Sequence, residues 1–410
     1  MRLIVQKFGG TSVGHPERIR NVAQRLLDTQ REGSQVVAVI SAMAGVTDSL
    51  IKLARETSAQ PSEREMDALL ATGEHAAVAL VAMAVNGLGG KAISLTGAEA
   101  GVLTDRVHTR AKIANLNPKL IEELLSDEYI VVIAGFQGQT PEGETTTLGR
   151  GGSDLSAIAL AGALGADSCQ IFTDVDGVFT CDPRVVTDAH KLNEIAYDEM
   201  LEMAGAGSKV MQSRAVEFAK KFGIEFEVRS SFNRSVGTIA KEETADMEDV
   251  VIRGVSIERN QAKLTLAGAP DLPGTASRIF SAVSAADIMV DMIVQNALEQ
   301  GTTDISFTIH ESDLPKAKEL LQPVVADVGA TALTASSGLA KLSVVGIGMR
   351  SHSGVAARMF DCLGRGGINI QLISTSEIKI AVVIDQTDAD RAAQLTHETF
   401  GLSGFFAPRS

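Results

Sequence analysis

The sequence predicts an α/β protein in two parts: an open αβα sandwich with a mainly parallel sheet over residues 1–245, then two copies of one smaller unit at 262–336 and 340–410. Three observations carry this. Up to about residue 245, short apolar, β-branched runs alternate with long Ala-rich amphipathic segments, the texture of parallel strands covered on both faces by crossover helices. Ala262-Lys263-Leu264-Thr265-Leu266-Ala267-Gly268 then recurs as Ala340-Lys341-Leu342-Ser343-Val344-Val345-Gly346, with Gly274, Phe280 and Ile288-Met289-Val290 matching Gly354, Phe360 and Ile368-Asn369-Ile370. Self-similarity on that scale means a duplicated supersecondary unit. Between the parts, residues 235–249 carry Lys241-Glu242-Glu243 and Asp246-Met247-Glu248-Asp249, a charged stretch that reads as a solvated linker.

In chain order, strands are expected at 3–5, 36–40, 92–95, 130–134 and 169–172, each a short run bounded by polar or Gly residues. Helices are expected at 17–31, 63–85 and 153–164, where apolar residues recur at helical spacing. Each repeat reads strand, Gly-started helix, two strands, helix. The first copy has a candidate final strand at 331–335, whereas the second stops soon after its helix, near Phe400. The unassigned run Val250-Val251-Ile252-Arg253-Gly254-Val255-Ser256 is expected to complete the second copy, so that the repeats interleave in space.

Composition narrows the function classes. The chain has 410 residues, 45% hydrophobic and 21% charged, as ordinary globular proteins do. Lys plus Arg is 37 and Asp plus Glu 51, so the formal charge is 37 − 51 = −14. That argues against a sequence-independent nucleic-acid binder, which needs a basic surface to replace phosphate counterions. Cys169, Cys181 and Cys362 form no Cys-x-x-Cys pair, so no disulfide framework or thiolate zinc site is expected. The opening run is too short for a signal peptide and the apolar stretch at 76–85 about half a membrane span. The expectation is a cytoplasmic protein with no membrane partner.

Three loops carry chemistry. Lys7-Phe8-Gly9-Gly10-Thr11-Ser12 ends the first strand and precedes a helix, the layout in which backbone N–H groups face an anion. Its glycine spacing resembles a P-loop, but His15-Pro16 stands where Lys-Ser/Thr is required, so a Walker A site is rejected. Thr146-Thr147-Leu148-Gly149-Arg150-Gly151-Gly152-Ser153-Asp154 opens a second helix. Ser153 or Asp154 can cap it, yet capping does not account for an arginine among glycines. Thr173-Asp174-Val175-Asp176-Gly177-Val178-Phe179-Thr180-Cys181-Asp182-Pro183-Arg184 follows a strand at its carboxyl end, where open α/β sheets bind ligands. Its Asp spacing lacks the later glutamate of a calcium loop.

These loops, with Ser41-Ala42-Met43-Ala44-Gly45-Val46-Thr47-Asp48 and Thr72-Gly73-Glu74 between them, resemble the aspartate kinases of the amino acid kinase family, whose catalytic fold is carbamate kinase-like. The repeats resemble the tandem ACT domains of the single-function form, each a ferredoxin-like βαββαβ unit. The resemblance implies transfer of the ATP γ-phosphoryl group to the β-carboxylate of L-aspartate, the first step towards lysine, threonine and methionine. That nucleophile is already ionised at neutral pH and needs no general base, in agreement with the absence of a His/Asp or Ser/His/Asp constellation.

By the same resemblance, Lys7, Arg150, Asp154 and Lys209 would be catalytic. Lys7, Phe8, Gly9, Gly10, Thr173, Asp174, Phe179, Asp182, Arg184, Lys209 and Val210 would hold ATP. Ser41, Gly45, Val46, Thr47, Glu74, Arg150, Gly151, Gly152 and Ser153 would hold aspartate, with Arg150 clamping a carboxylate and Glu74 facing the ammonium. Mg²⁺ would bind through the ATP phosphates and not through a protein ligand set. Leu155-Ser156, Phe179 and Cys181 depart mildly from the family pattern; the Phe179 ring would still pack beside an adenosine but cannot donate the usual tyrosine's hydroxyl.

In the repeats, Asp271, Ala276, Asp291, Gln295, Asn369, Ile370, Thr375 and Ser376 would bind lysine, threonine or both as feedback effectors, through ACT pairing in a homo-oligomer. Met247 would allow a shorter ACT-only chain as a partner. Two other readings compete: a kinase for glutamate or acetylglutamate, which shares the glycine loops, and an amino-acid sensor with an inactive kinase domain. The 41–48 motif and the ACT pair favour aspartate; intact Lys7, Glu74, Arg150, Asp174 and Lys209 argue against the inactive sensor.

Overall fold

A computed structural model describes residues 1–204, 211–242, 244, 251–298, 301–352 and 354–403, with only the backbone at 350 and 351. The chain forms two compact units. The first holds Met1–Val178 with the described residues of 191–245, and the second holds Phe179–His190 with those from 251 onward.

The first unit contains β1 (Arg2–Phe8), α1 (Pro16–Arg31), β2 (Ser34–Ile40), α2 (Val46–Thr57), α3 (Glu63–Gly87), β3 (Ala92–Leu95), β4 (Val102–Thr104), β5 (Ile113–Leu116) and α4 (Lys119–Ser126). It continues with β6 (Ile130–Ala134), β7 (Gln137–Gln139), β8 (Thr145–Thr147), α5 (Gly152–Leu164), β9 (Ser168–Thr173), β10 (Glu194–Ala196), α6 (Tyr197–Met203), α7 (Ser213–Phe222), β11 (Phe226–Ser230) and β12 (Thr238–Lys241). Eight strands form the main sheet in the order β10-β12-β11-β9-β1-β2-β6-β3, and β5-β4-β7-β8 form a small side sheet. Every neighbouring pair of the main sheet is parallel except β11 with β12. β1 and β2 lie near the centre of the sheet; β2 is buried at every position but Gln35, and β1 from Val5 to Phe8, which accounts for the apolar run Val36–Ile40.

Pro16 at the first helical position sets the start of α1, and Ile19, Val22, Ala23, Leu26 and Leu27 repeat at helical spacing to bury one face. The apolar run at 76–85 is the last part of a longer helix: α3 has 25 residues, long and apolar enough by composition to cross a membrane. Half of that apolar window is buried in this fold. Ala77, Val78, Val81, Ala82 and Val85 pack into the cluster that holds Val22, Ala23 and Leu26, and the same helix buries Asp67 and Glu74. It is a core helix of the α/β unit.

The second unit contains β13 (Gly254–Pro270), α8 (Thr275–Ala285), β14 (Val290–Ala297), β15 (Thr302–His310), α9 (Leu314–Val328), β16 (Ala332–Val345), α10 (Val355–Arg365), β17 (Leu372–Thr375), β18 (Lys379–Asp385) and α11 (Ala389–Thr399). Two strands expected as separate pieces are continuous. Residues 254–256 of the run expected at 250–256 and the first strand of copy one are both in β13; 251–253 precede the strand, and Val250 lies outside the described residues. The last strand of copy one and the first of copy two are both in β16. Residues 254–258 pair with 341–345, and residues 263–267 with 332–336, across register shifts. The sheet order β14-β15-β13-β16-β18-β17 therefore threads each long strand through both copies. Separate apolar clusters lie behind the two halves, one around Leu264, Phe307 and Leu321, the other around Leu342, Val344, Met359 and Val382.

Residues 179–190 were expected within the first part but belong to the second unit. The physical reason is apolar: Cys181 and Val186 are buried in the cluster that holds Val344, Met359 and Ala393.

Candidate active site

The carboxyl ends of β9, β1, β2 and β6 lie side by side, so the loops that follow them form one edge. Backbone bonds stitch that edge together: Gly9 N–H donates to Phe172 O (3.2 Å), Ser41 N–H to Phe8 O (3.1 Å), Ala44 N–H to Gly10 O (3.2 Å) and Gly135 N–H to Ile40 O (3.0 Å). Beneath it the Phe8 and Phe172 rings stack at 4.7 Å between centroids. Glycine is required in the cradle because the strands' loops approach so closely. A Cβ on Gly10 would stand 2.8 Å from Ala42 O and 3.3 Å from Ala44 N, both backbone atoms. Gly10→Ala is therefore expected to lower stability by about 1–3 kcal/mol, the usual penalty of overpacking, measured by denaturant unfolding.

Lys7, the last residue but one of β1, lies beside the cradle and is buried. Its Nζ lies 2.6 Å from Asp154 Oδ1, with both side chains about a tenth exposed. Asp154 and Ser153 were read as possible caps of α5. Instead Gly151, with φ +71°, is the cap and no side chain bonds there. Asp154 points from the first turn to Lys7, and Ser153 packs on Gly135, whose Cβ would stand 2.9 Å from the Ser153 side chain. Gly149 (φ +78°) and Gly151 adopt left-handed backbone on either side of Arg150, which only glycine accepts without strain. That kinked loop leaves Arg150 exposed beside the start of α5.

Glu74 is 3% exposed on α3. One carboxylate oxygen accepts the Ala42 N–H at 3.0 Å, while the other is buried with no hydrogen-bond partner among the described residues. Burial holds its pKa up, from 4.5 to about 7, against the lowering effect of the Ala42 bond. Gly73, next to it, allows this closeness: a Cβ there would stand 3.0 Å from Ala42 Cβ. Ser41 and Thr47, partly buried, flank the same loop, with Gly45 (φ +79°) capping α2 and Val46 as its first residue.

One residue of this region was missed. Asp67, fully buried, lies seven residues before Glu74 on the same face of α3. It accepts from Thr109 N–H (3.0 Å), from the Thr147 hydroxyl, and meets His108 Nδ1 at 2.8 Å, tying the side sheet to α3. Its signal was present: two carboxylates two turns apart on an otherwise apolar stripe.

The nucleotide-side residues divide. Thr173 and Asp174 lie at the end of β9 beside β1, the hydroxyl of Thr173 donating to Asp174 at 3.2 Å. Phe179, Asp182 and Arg184 belong to the second unit. Arg184 clasps Asp182 with its Nη2 at 2.7 Å, which pulls the Asp182 carboxyl below its usual range. Lys209 and Val210 lie outside the described residues, as does Met247. In the repeats, Asp291 and Gln295 are on the outer strand β14, Thr375 ends the opposite outer strand β17, and Asn369-Ile370 and Ser376 flank it. Asp271 and Ala276 bracket the start of α8. Asp291 is already paired with Lys341, whose ammonium also reaches Glu258 at 2.7 Å; these carboxylates hold its pKa up against burial.

A glycine-lined cradle with a buried cation suits transfer to a group that is already anionic, the chemistry of small-molecule carboxylate kinases. The amino acid kinase family profile matches residues 2–230, and the ACT domain profile matches 265–323 and 342–400. The sequence is 49% identical over 403 residues to the aspartate kinase of Stutzerimonas stutzeri, covering 98% of each chain. It is 47% identical over 409 residues to the aspartokinase of Mycolicibacterium smegmatis, covering 98% of this chain and 97% of the other. Among solved structures it is similar to E. coli aspartokinase III in complex with aspartate and ADP: TM-score 0.80, 26% identity, 97% of this chain and 99% of that one. The chain belongs to the aspartate kinases.

Proposed function

We propose that the enzyme transfers the γ-phosphoryl group of ATP to the β-carboxylate of L-aspartate, giving 4-phospho-L-aspartate in the cytoplasm for lysine, threonine and methionine synthesis. The observation that carries this reading is the meeting of Lys7, the Gly9-Gly10 cradle and Glu74 at one sheet edge. The attacking carboxylate needs no proton removed, so the protein has to align two anions and offset the charge of a loose transition state. Lys7 supplies a cation beside the cradle, and an ammonium held by Asp154 at 2.6 Å still has protons to donate to a phosphoryl oxygen. Ser41, Thr47 and Ser153 hydrogen-bond the amino acid, Arg150 clamps its α-carboxylate and Glu74 takes its ammonium. Thr173, Asp174, Phe179, Asp182, Arg184, Lys209 and Val210 hold the nucleotide.

The described residues contain no cluster of three or more His, Cys, Asp or Glu side chains suited to a metal. A Mg²⁺ would be held chiefly by the ATP phosphates, with Asp174, an exposed carboxylate that directly follows β9, able to assist. When bound, the ion neutralises phosphate charge.

A lysine complex of E. coli aspartokinase III, TM-score 0.77 and 26% identity, supports lysine as an effector at the repeats, with threonine the other amino acid to test. Pairing of ACT domains between chains, and a shorter chain begun at Met247, belong to the same reading. Hydroxylamine trapping of acyl phosphate, with ATP and L-aspartate or L-glutamate in parallel, tests the reaction. Hydroxamate is expected with aspartate. Product with glutamate alone moves the assignment, and product with neither ends it.

A further inference from the structure

Residues 179–190 leave the catalytic unit, carry the proposed nucleotide residues Asp182 and Arg184, and return at Lys191. Their anchorage is in the second repeat. Thr180 is 1% exposed and bonded on every polar atom: its N–H donates to His190 O (2.8 Å), its carbonyl accepts Val255 N–H (2.7 Å), and its Oγ1 accepts His190 N–H (3.0 Å). The same Oγ1 lies 2.9 Å from Nε2 of His397 on α11, a hydrogen bond in which either the hydroxyl or the ring can donate. His397 is also 1% exposed. The other ring nitrogen, Nδ1, lies 3.5 Å from Ser403 Oγ, and the Ser403 hydroxyl in turn donates to Asp188. Gln394, also on α11, donates to Val185 O at 2.9 Å. A buried hydroxyl–imidazole pair thus sits two residues before Asp182, between the nucleotide segment and the last helix of the second repeat.

We infer that Thr180 and His397 are positioning residues for the nucleotide: they fix the 179–190 segment on the second repeat, so that this repeat sets where Asp182 and Arg184 stand. The inference rests on the nucleotide reading of that segment. Burying the pair in place of an apolar contact is costly unless the bond is made, and its loss orphans the ring nitrogen and the His190 N–H together.

The test is steady-state kinetics on the full chain. Thr180→Val keeps the shape and removes the hydroxyl; the KM for MgATP is expected to rise about fivefold, the worth of one buried neutral hydrogen bond, with kcat and the aspartate KM within about twofold. Thr180→Ser restores the hydroxyl and is expected to restore the nucleotide KM. Asp188→Ala, at an exposed position that does not threaten the core, is expected to raise the nucleotide KM in the same direction. An unchanged nucleotide KM in folded Thr180→Val, or in Asp188→Ala where Thr180→Val fails to fold, overturns the inference, as does a fall in kcat with no change in that KM. Wild-type enzyme that forms no acyl phosphate, or an Arg184→Ala variant with unaltered nucleotide KM, instead removes the reading beneath it.

Discussion

Lys7→Met is expected to lower kcat for phosphoryl transfer about a thousandfold, the scale of losing one preorganised electrostatic contact at a reacting centre. The ammonium is the buried cation next to the glycine cradle, a tenth exposed, and Asp154 fixes it at 2.6 Å. A charge in a dry site acts more strongly than one in water and needs no reorganisation when the transition state forms. Arginine is not expected to substitute. A planar fork does not replace a compact point charge. Lys7→Met also leaves Asp154 without its partner, so part of any loss could come from a buried carboxylate. The double variant Lys7→Met/Asp154→Asn separates the two: if the loss belongs to the missing cation, the double variant stays as slow as the single one. Recovery to within tenfold of wild type, or a single-variant loss under tenfold, shows that Lys7 is not the electrostatic element of the reaction.

The catalytic strands were legible because they are central. β6 is buried at every position and β2 at all but Gln35, so runs such as Val36-Val37-Ala38-Val39-Ile40 and Ile130-Val131-Val132-Ile133-Ala134 read as strand from composition alone. The side sheet was not legible. β4, β7 and β8 have three residues each, and Asp67 on α3 gathers His108-Thr109 and Thr147 beside them from two distant places in the chain. The duplicated unit was visible as a repeat, but its continuity was not: Asn260 with φ +58° and the register shifts around it let β13 pass from one copy to the other without a turn signature. In the site, Lys7, Gly10 and Gly151 announced themselves by type and position. The partnership of Lys7 with Asp154 did not, because it joins residues far apart in sequence, and a first-turn aspartate reads equally well as a favourable helix charge. Residues 179–190 show the same limit. Cys181 and Val186 look like modest turn-flanking apolar residues, and only the fold shows which core they enter.

Glu74→Gln is expected to raise the KM for aspartate about a hundredfold and to abolish its pH dependence below neutrality. The carboxyl is pushed up from 4.5 to about 7 because burial penalises the charge more than the Ala42 N–H stabilises it. A group whose folded pKa is raised contributes stability that is fully present below the unfolded value of 4.5 and is lost as pH rises through 7. Between those values the free enzyme therefore holds a neutral acid where the unfolded chain holds an anion. An amino-acid ammonium reverses the preference, since it pairs with the ionised form and supplies the partner that the second, unbonded oxygen lacks. Binding must then expel a proton at pH values below about 7, and apparent affinity is expected to fall roughly tenfold per pH unit on that side. The aspartate substrate itself stays doubly carboxylate-ionised through this range, its side-chain acid titrating near about 3.9, so the slope reports the enzyme. The measurement is the aspartate KM at saturating MgATP from pH 5.5 to 8 for wild type and Glu74→Gln. Wild type should steepen below 7 and level above it, while the glutamine variant, with no proton to lose, should be high and flat. A variant that keeps the wild-type slope would place the titrating group elsewhere, and one that keeps the wild-type KM would show that the ammonium is not held by Glu74.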